Sequence, residues 1–319
     1  MIQLAAAPGY LSQALIDMEV KLLQYTENQP PLIGEGLKSL VAGGGKRIRP
    51  LLCLMGVYYG DAHAAYEDVV ELATMPELLH LASLIHDDII DQASARRGVE
   101  TLHSRFGTHV AVYAGDLVII QTLNRMLAYY DKSDYMRFSA DLLKLVQAEI
   151  LQMAGKTALE LSVKRYLRVI EGKTARLLKL SFEMGAVYSH VAPNTRKKLL
   201  RAVHYMGMAF QIKDDCLDFS ASQQIFGKPV LQDLKNGYLT LPAILYYRRH
   251  GEQYKRLKLK GSIKGQKLSA SQFAPDVEKT LLIANRYTQK ALALLKTLPE
   301  HPLNETFIEL ANLLNKREH

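Results

Sequence analysis

The segment LASLIHDDIIDQ, Leu81 to Gln92, places three carboxylates, Asp87, Asp88 and Asp91, at the end of an apolar pattern that repeats every three to four residues. That period is the mark of a helix rather than a strand. Residues four apart on a helix are neighbours, so Asp87 and Asp91 point the same way and repel, by a few tenths of a kcal/mol. A cation between them is one reason to crowd them; a solvated helix end is the other.

A second copy bears on that choice. In QIKDDCLDF, Gln211 to Phe219, Asp214, Asp215 and Asp218 repeat the spacing. Gln211, Asp214, Asp215 and Asp218 fall at i, i+3, i+4 and i+7, which is one helical face. Hard oxygen donors in this number, with no His or Cys at metal-ligand spacing, suit Mg²⁺, which takes one or two carboxylates and completes its shell with water and substrate phosphates. A phosphorylated substrate is therefore expected. Neither cluster has the alternating acids and central glycine of a calcium-binding EF-hand loop.

Around these two segments the whole chain reads as helical. Apolar residues recur at three and four through Leu11–Leu23, Val69–Ile90, Val110–Leu127, Phe138–Met153, Tyr166–Ala186, Leu199–Phe219, Leu241–Tyr247, Val277–Leu295 and Phe307–Leu314. Glycine and proline punctuate between them, at Gly43–Gly45, Gly98, Gly107, Gly172, Pro193, Gly227 and Pro299 among others. Pro76 predicts a kink or a helix start. No alternating strand pattern stands out. The expectation is an all-α protein of about ten or more helices in one domain spanning residues 1–319.

Composition narrows the class. The chain has 319 residues, 48% of them hydrophobic and 23% charged, enough to bury a large core. MIQLAAAPGY lacks a basic n-region, and no apolar run reaches the roughly 18 residues of a membrane span, so a cytoplasmic protein is expected. Cys53 and Cys216 read as reduced packing residues. Of the net charge of +8, a net +7 lies between Arg248 and Lys267. That concentration argues against a nucleic-acid-binding body; it fits a solvated loop, or at most peripheral contact with an anionic membrane.

A phosphate-handling protein needs cations, and the chain supplies several clusters. GGGKRIRP, Gly43 to Pro50, follows a helix end with Lys46, Arg47 and Arg49, a combination suited to clamping a diphosphate. Arg96 and Arg97 stand just past the first acidic segment, to reach a bound phosphate or to pair with Asp87 or Asp91. Gly172–Thr174 is no P-loop, because Leu167 stands where a Walker A glycine is required; a lysine and a hydroxyl opening a helix still suit a diphosphate leaving group.

Taken together, GGGKRIRP, LLHLASLIHDDIID, RRG, AGDLV, EGKTARL, GMAFQIKDDCLDF, FGKPV, DLKNG and TLP, in this order from about Gly36 to Pro242, closely resemble the trans-isoprenyl diphosphate synthases. The resemblance implies an orthogonal bundle of helices around a central cavity, a homodimer, and about three Mg²⁺ per active site held with substrate oxygens. It implies metal ligation by Asp87, Asp91 and Asp214, with Asp88, Asp215 and Asp218 in support. It assigns Arg96, Lys173, Thr174, Gln211 and Lys228 to an allylic diphosphate, and Lys46, Arg49, His80 and Arg97 to isopentenyl diphosphate. His86 is left structural. Two positions depart from the family pattern: Leu231 stands where a second glycine of GKPxG is usual, and Tyr238 where a lysine is common.

The segment before Asp87 bears on product length. Ser83 lies one turn back, Leu79 two and Met75 about three, at roughly 5.4 Å per turn. Short-chain members of the family carry a bulky aromatic four or five residues before the first aspartate, whereas Ala82 and Ser83 are small. A product from geranylgeranyl to heptaprenyl diphosphate, about C20 to C35, is expected at this spacing. A class I cyclase would not need GGGKRIRP with RRG. A non-catalytic partner subunit would not need both acidic segments, whereas the catalytic half of a two-component synthase, acting with a small partner subunit, would.

Overall fold

The computed structural model describes residues 4–60, 65–219, 231–260 and 268–316, together with Ile2. Its long elements are helices: α1 (Gly9–Glu27), α2 (Pro31–Ala42), α3 (Ile48–Tyr58), α4 (Tyr66–Ile90), α5 (Leu102–Met126), α6 (Lys132–Ala158), α7 (Val163–Ile170), α8 (Arg176–Tyr188), α9 (Pro193–Leu217), α10 (Gln232–Lys235), α11 (Leu241–Arg249), α12 (Gly251–Lys260), α13 (Ala274–Leu295) and α14 (Asn304–Asn315). The all-α expectation holds. The chain groups into two compact units: Met1–Ser139, Leu180–Lys197 and Pro299–Thr306 form the first, and Ala140–Lys179, Lys198–Leu298 and Phe307–His319 form the second. It passes from one to the other within α6, α8, α9 and α14, and once between α13 and α14.

In the first unit α4 is the spine, packed along α1, α3 and α5. Leu72, Ala73, Met75 and Leu78 are fully enclosed, so this helix is apolar nearly all round, as a central helix must be. It does not start at Pro76 but runs through it, so the alternative of a helix start there is excluded. A proline removes the N–H that would bond the carbonyl four residues back. That carbonyl belongs to Leu72, and the Cys53 thiol of α3 approaches it at 3.5 Å. Tertiary packing thus supplies the donor that the helix lacks. The C-terminal half of α8 joins the same unit through Tyr130 Oη to the Met184 carbonyl, 3.0 Å, and Ser189 Oγ to the Gly56 carbonyl, 2.9 Å.

A two-stranded antiparallel hairpin, β1 (Ala95–Arg96) and β2 (Val99–Glu100), interrupts the helices, with Ala95 opposite Glu100. The sequence reading missed it. Its two-residue loop has Arg97 at φ 53° and Gly98 at φ 78°, the pair of positive φ values that a type I′ turn requires. The usual Asn-Gly signal is absent because Arg97 takes the first position.

The second unit holds two enclosed apolar clusters. One joins Tyr166 and Ile170 of α7 to Ile212 of α9 and Leu241 and Ile244 of α11. The other joins Leu231, Leu234, Tyr247 and Phe273. Between α7 and α8 the chain does not stop at Gly172 but continues through a π-helical turn, Glu171–Ala175. The basic stretch after Arg248 is also helical as far as Lys260, in α11 and α12, rather than a loop.

Candidate active site

In the first unit the acidic segment closes α4. Asp87 lies in the last turn and Asp91 is the C-cap, its N–H donating to the Asp87 carbonyl at 2.8 Å, so the two carboxylates are one turn apart as expected. Asp88 is different. It is 2% exposed and pairs with Arg96, whose Nε and Nη2 each lie 2.8 Å from Oδ1. The arginine's ionic partner is thus Asp88 rather than Asp87 or Asp91. Asp88 Oδ2 is buried with no hydrogen-bond partner among the described residues.

His86 stays structural. Its Nε2 lies 3.3 Å from Asp116 Oδ1 on α5, and the ring packs on Gly115, where a Cβ would stand 2.3 Å from Nε2. The AGD of AGDLV therefore serves the close approach of α5 to the acidic end of α4.

The basic loop between α2 and α3 divides its cations. Lys46 is exposed. Arg47 turns inward: it takes a left-handed φ of 52° as N-cap of α3, and its guanidinium reaches Glu19 Oε1 at 2.6 Å, Glu77 Oε1 at 2.7 Å and the Val41 carbonyl at 2.8 Å. Arg49 lies deeper. Burial and the neighbouring Arg97 pull its guanidinium down to about 10, against the opposing pull of Glu77, and its buried Nε lacks a partner among the described residues. Arg97 reaches back from the hairpin to the Gly44 carbonyl, and a Cβ at Gly45 would meet its Nη1 at 2.8 Å. His80 completes the group. Burial, then Arg49, Arg97, Arg96 and Arg47, hold its imidazole well below the usual histidine range. Of these four guanidinium groups Arg47 is paired with Glu19 and Glu77 and Arg96 with Asp88, which leaves Arg49 and Arg97 as the cations an anion would meet. Leu40, Leu81 and Leu84 line a small cleft with Gly43, Arg96 and Arg97, so its lining is both apolar and cationic.

In the second unit Lys173 and Thr174 lie in the π-turn, mid-path between α7 and α8 and not at a helix start. Short π-turns recur at functional sites because they re-aim side chains within a helix. Lys173 Nζ lies 3.1 Å from Glu149 Oε2. Thr174 Oγ1 donates to Gln211 Oε1 at 2.5 Å, and Gln211 Nε2 donates to Asp215 Oδ1 at 2.8 Å. Tyr166 Oη donates to the other oxygen of Asp215 at 2.6 Å. Burial raises the Asp215 carboxyl to about 8, although both donors pull it down. Asp214 is half-buried on the same helix. Asp218 instead caps α10, accepting from the N–H groups of Gln232 at 2.7 Å and Asp233 at 3.0 Å. Leu231, the N-cap of α10, has φ 59°. This is the left-handed conformation that glycine adopts freely, at one of the two positions that depart from the family pattern.

Lys228 lies outside the described residues. Of the positions expected to govern chain length, Met75, Leu79 and Ala82 are buried, and Ser83 is half-buried with its hydroxyl on the His80 carbonyl at 2.7 Å. Sequence reasoning missed Tyr166, Glu19, Glu77 and Glu149, since a lone tyrosine or glutamate on a helix carries no pattern that marks its partner. Both cysteines are free and buried, as expected.

The donor set fits a hard divalent cation. Each unit offers carboxylate oxygens only, from Asp87 and Asp91 in the first and from Asp214 in the second, and no group of three or more His, Cys, Asp or Glu among the described residues is close enough to hold an ion alone. The remaining ligands would come from substrate oxygens and water, which is the manner in which Mg²⁺ binds.

A family model described as polyprenyl synthetase matches residues 30–281. The chain is 32% identical over 317 residues to the heptaprenyl diphosphate synthase component 2 of Bacillus subtilis (strain 168), covering 98% of this chain and 90% of that protein. It superposes on the heptaprenyl diphosphate synthase from Staphylococcus aureus with a TM-score of 0.86 at 28% identity, over 96% of this chain and 98% of the other. The geranylgeranyl pyrophosphate synthase from Lactobacillus brevis gives a TM-score of 0.88 at 28% identity, over 97% and 98% of the two chains.

Proposed function

Because the chain belongs to the polyprenyl synthetase family and is a prenyl diphosphate synthase, we propose that it is a Mg²⁺-dependent enzyme joining isopentenyl diphosphate to an allylic prenyl diphosphate. We infer further that both compact units serve one catalytic domain, since the matched region spans parts of each. The observation that carries the reading is geometric: Arg97 of the hairpin that follows the paired carboxylates of α4 reaches back to the glycine-rich loop of Lys46 and Arg49, beside a small cleft that it lines with Arg96.

Lys46, Arg49 and Arg97 bind the diphosphate of isopentenyl diphosphate, and the neutral His80 ring offers a hydrogen bond without adding charge. Asp87 and Asp91 of the first unit and Asp214 of the second would hold Mg²⁺, which would supply the positive charge to neutralise an allylic diphosphate as it leaves. Lys173 exchanges Glu149 for that diphosphate, to which the family pattern also assigns Arg96 and Lys228. The allylic C–O bond breaks, the double bond of isopentenyl diphosphate attacks the allylic cation to form the new C–C bond, and a proton is lost to the departing diphosphate. The protein supplies no nucleophile. Thr174 and Gln211 line the cation with dipoles. Incubating the purified chain with labelled isopentenyl diphosphate and an allylic primer, with and without Mg²⁺, tests this. The expected result is metal-dependent chain extension to products between geranylgeranyl and heptaprenyl diphosphate; no incorporation overturns it.

A second reading has specific support. Relatives named component 2 of heptaprenyl diphosphate synthase suggest a chain that works with a small partner subunit, so activity that appears only after a partner is added would assign this one to the catalytic half.

Assembly as a homodimer is the accompanying proposal. On α6, Leu143, Val146, Ile150 and Met153 form an exposed stripe at helical spacing, and on α5 Tyr113 and Ile120 are exposed. By length and composition α5 is also apolar enough to cross a membrane, with 28% of that window buried, which the sequence reading had not anticipated. Exposed apolar faces of this kind mark contact surfaces, and a second copy of the chain in the cytoplasm is the proposed partner. Sedimentation at two protein concentrations checks it, with Ile150→Glu expected to give monomers.

A further inference from the structure

Tyr166 has no part in the reading above, yet it terminates a chain of hydrogen bonds that runs through Asp215 and Gln211 to Thr174. Its ring is 6% exposed and sits in an apolar cluster with Ile170, Met208 and Ile212. A phenylalanine would fill that space without carrying a hydroxyl into it, and a buried hydroxyl is costly unless it is bonded. The hydroxyl lies 2.6 Å from Asp215 Oδ2. The hydroxyl is the donor there, and the Gln211 amide donates to the other carboxyl oxygen of Asp215 at 2.8 Å. Turning the NH₂ of Gln211 toward Asp215 turns its carbonyl toward Thr174. The Thr174 proton is then committed to Gln211 at 2.5 Å, which leaves the oxygen of this buried threonine with lone pairs alone.

We propose that Tyr166 is a positioning residue for the transfer step: by anchoring Asp215 it fixes the amide of Gln211 and makes Thr174 an acceptor toward the cationic allylic fragment. The proposal rests on the prenyl-transfer reading and names a residue outside the acidic and cationic motifs. Tyr166 touches no substrate. Its effect passes through three side chains of the second unit and does not involve the basic cluster around Arg49 and His80.

The test is Tyr166→Phe, which removes one oxygen from the apolar cluster. Wild type is assayed first for Mg²⁺-dependent isopentenyl incorporation; failure there sinks the functional reading, whatever Tyr166 does. Given an active wild type, kcat of the variant should fall about tenfold to a hundredfold, the scale of a hydrogen bond to a charged group, while KM for isopentenyl diphosphate stays within about twofold. Thr174→Val should also lose most of its effect in the Tyr166→Phe background, because the two act in series. In metal-free, substrate-free protein labelled at glutamine nitrogen, the Gln211 side-chain amide signal should move toward the position of a free amide on Tyr166→Phe. If the variant melts at a lower temperature, all rates are read below its transition, so the split between kcat and KM still decides. An unchanged kcat, a kcat loss matched by an equal rise in KM, or fully multiplicative effects with Thr174→Val would each overturn the proposal.

Discussion

Arg47 Nη1 lies 2.7 Å from Glu77 Oε1, and the same guanidinium binds Glu19, so the middle residue of the Lys46–Arg47–Ile48 step points into the protein while Lys46 points out. Two adjacent cations of one loop therefore have different tasks. Replacing Arg47 by methionine leaves Glu77 buried without its cation, and breaking a buried pair in this way costs about 3–5 kcal/mol. Urea unfolding should show that loss for Arg47→Met. Lys46→Met should stay within about 0.5 kcal/mol of wild type and instead raise KM for isopentenyl diphosphate. Equal stability losses would remove the distinction.

His80 ties stability to pH. Its folded pKa is well below the ordinary value, whereas in the unfolded chain it titrates near about 6.5. Below that pH the unfolded state takes up a proton that the folded state refuses. The contribution is thus complete above about 6.5 and lost progressively as pH falls toward the folded pKa. His80→Gln should flatten the slope of unfolding free energy against pH in the mildly acidic range. An identical slope in both proteins would refute the assignment.

Gly115 faces the His86 ring with no room for a methyl group, 2.3 Å from Cβ to Nε2. Gly115→Ala must displace His86, next to Asp87, at an overpacking cost of about 1–3 kcal/mol. A raised Mg²⁺ requirement and a lower melting temperature are expected, and His86→Ala in the same chain should restore both. Failure of that rescue would mean that α5 itself has moved.

Ser83 lies one turn before Asp87 on α4 and is half-buried. If the growing chain descends this face, Ser83→Phe shortens the product by at least one isoprene unit, read by mass spectrometry of the extracted diphosphates. An unchanged product distribution places the tail elsewhere.

The helical class, the two acidic segments and the cations flanking them were legible in the sequence because each is a local property. Periodicity fixes which face of a helix is apolar, and residues four apart are neighbours whatever surrounds them. Asp87 beside Asp91, the helix end at Gly43 and both free cysteines follow from such rules. What no local rule determined is which of several equivalent charges turns inward and which polar group meets which across the fold. Arg47 rather than Lys46 is buried because Glu19 and Glu77, 28 and 30 residues away, reach the loop from α1 and α4. Pro76 leaves α4 unbroken because a thiol from α3 stands at the orphaned carbonyl. The hydroxyl of Tyr166 acquires a partner only when α7 packs on α9. Side-chain partners separated by tens of residues are set by packing, and packing is a property of the assembled fold.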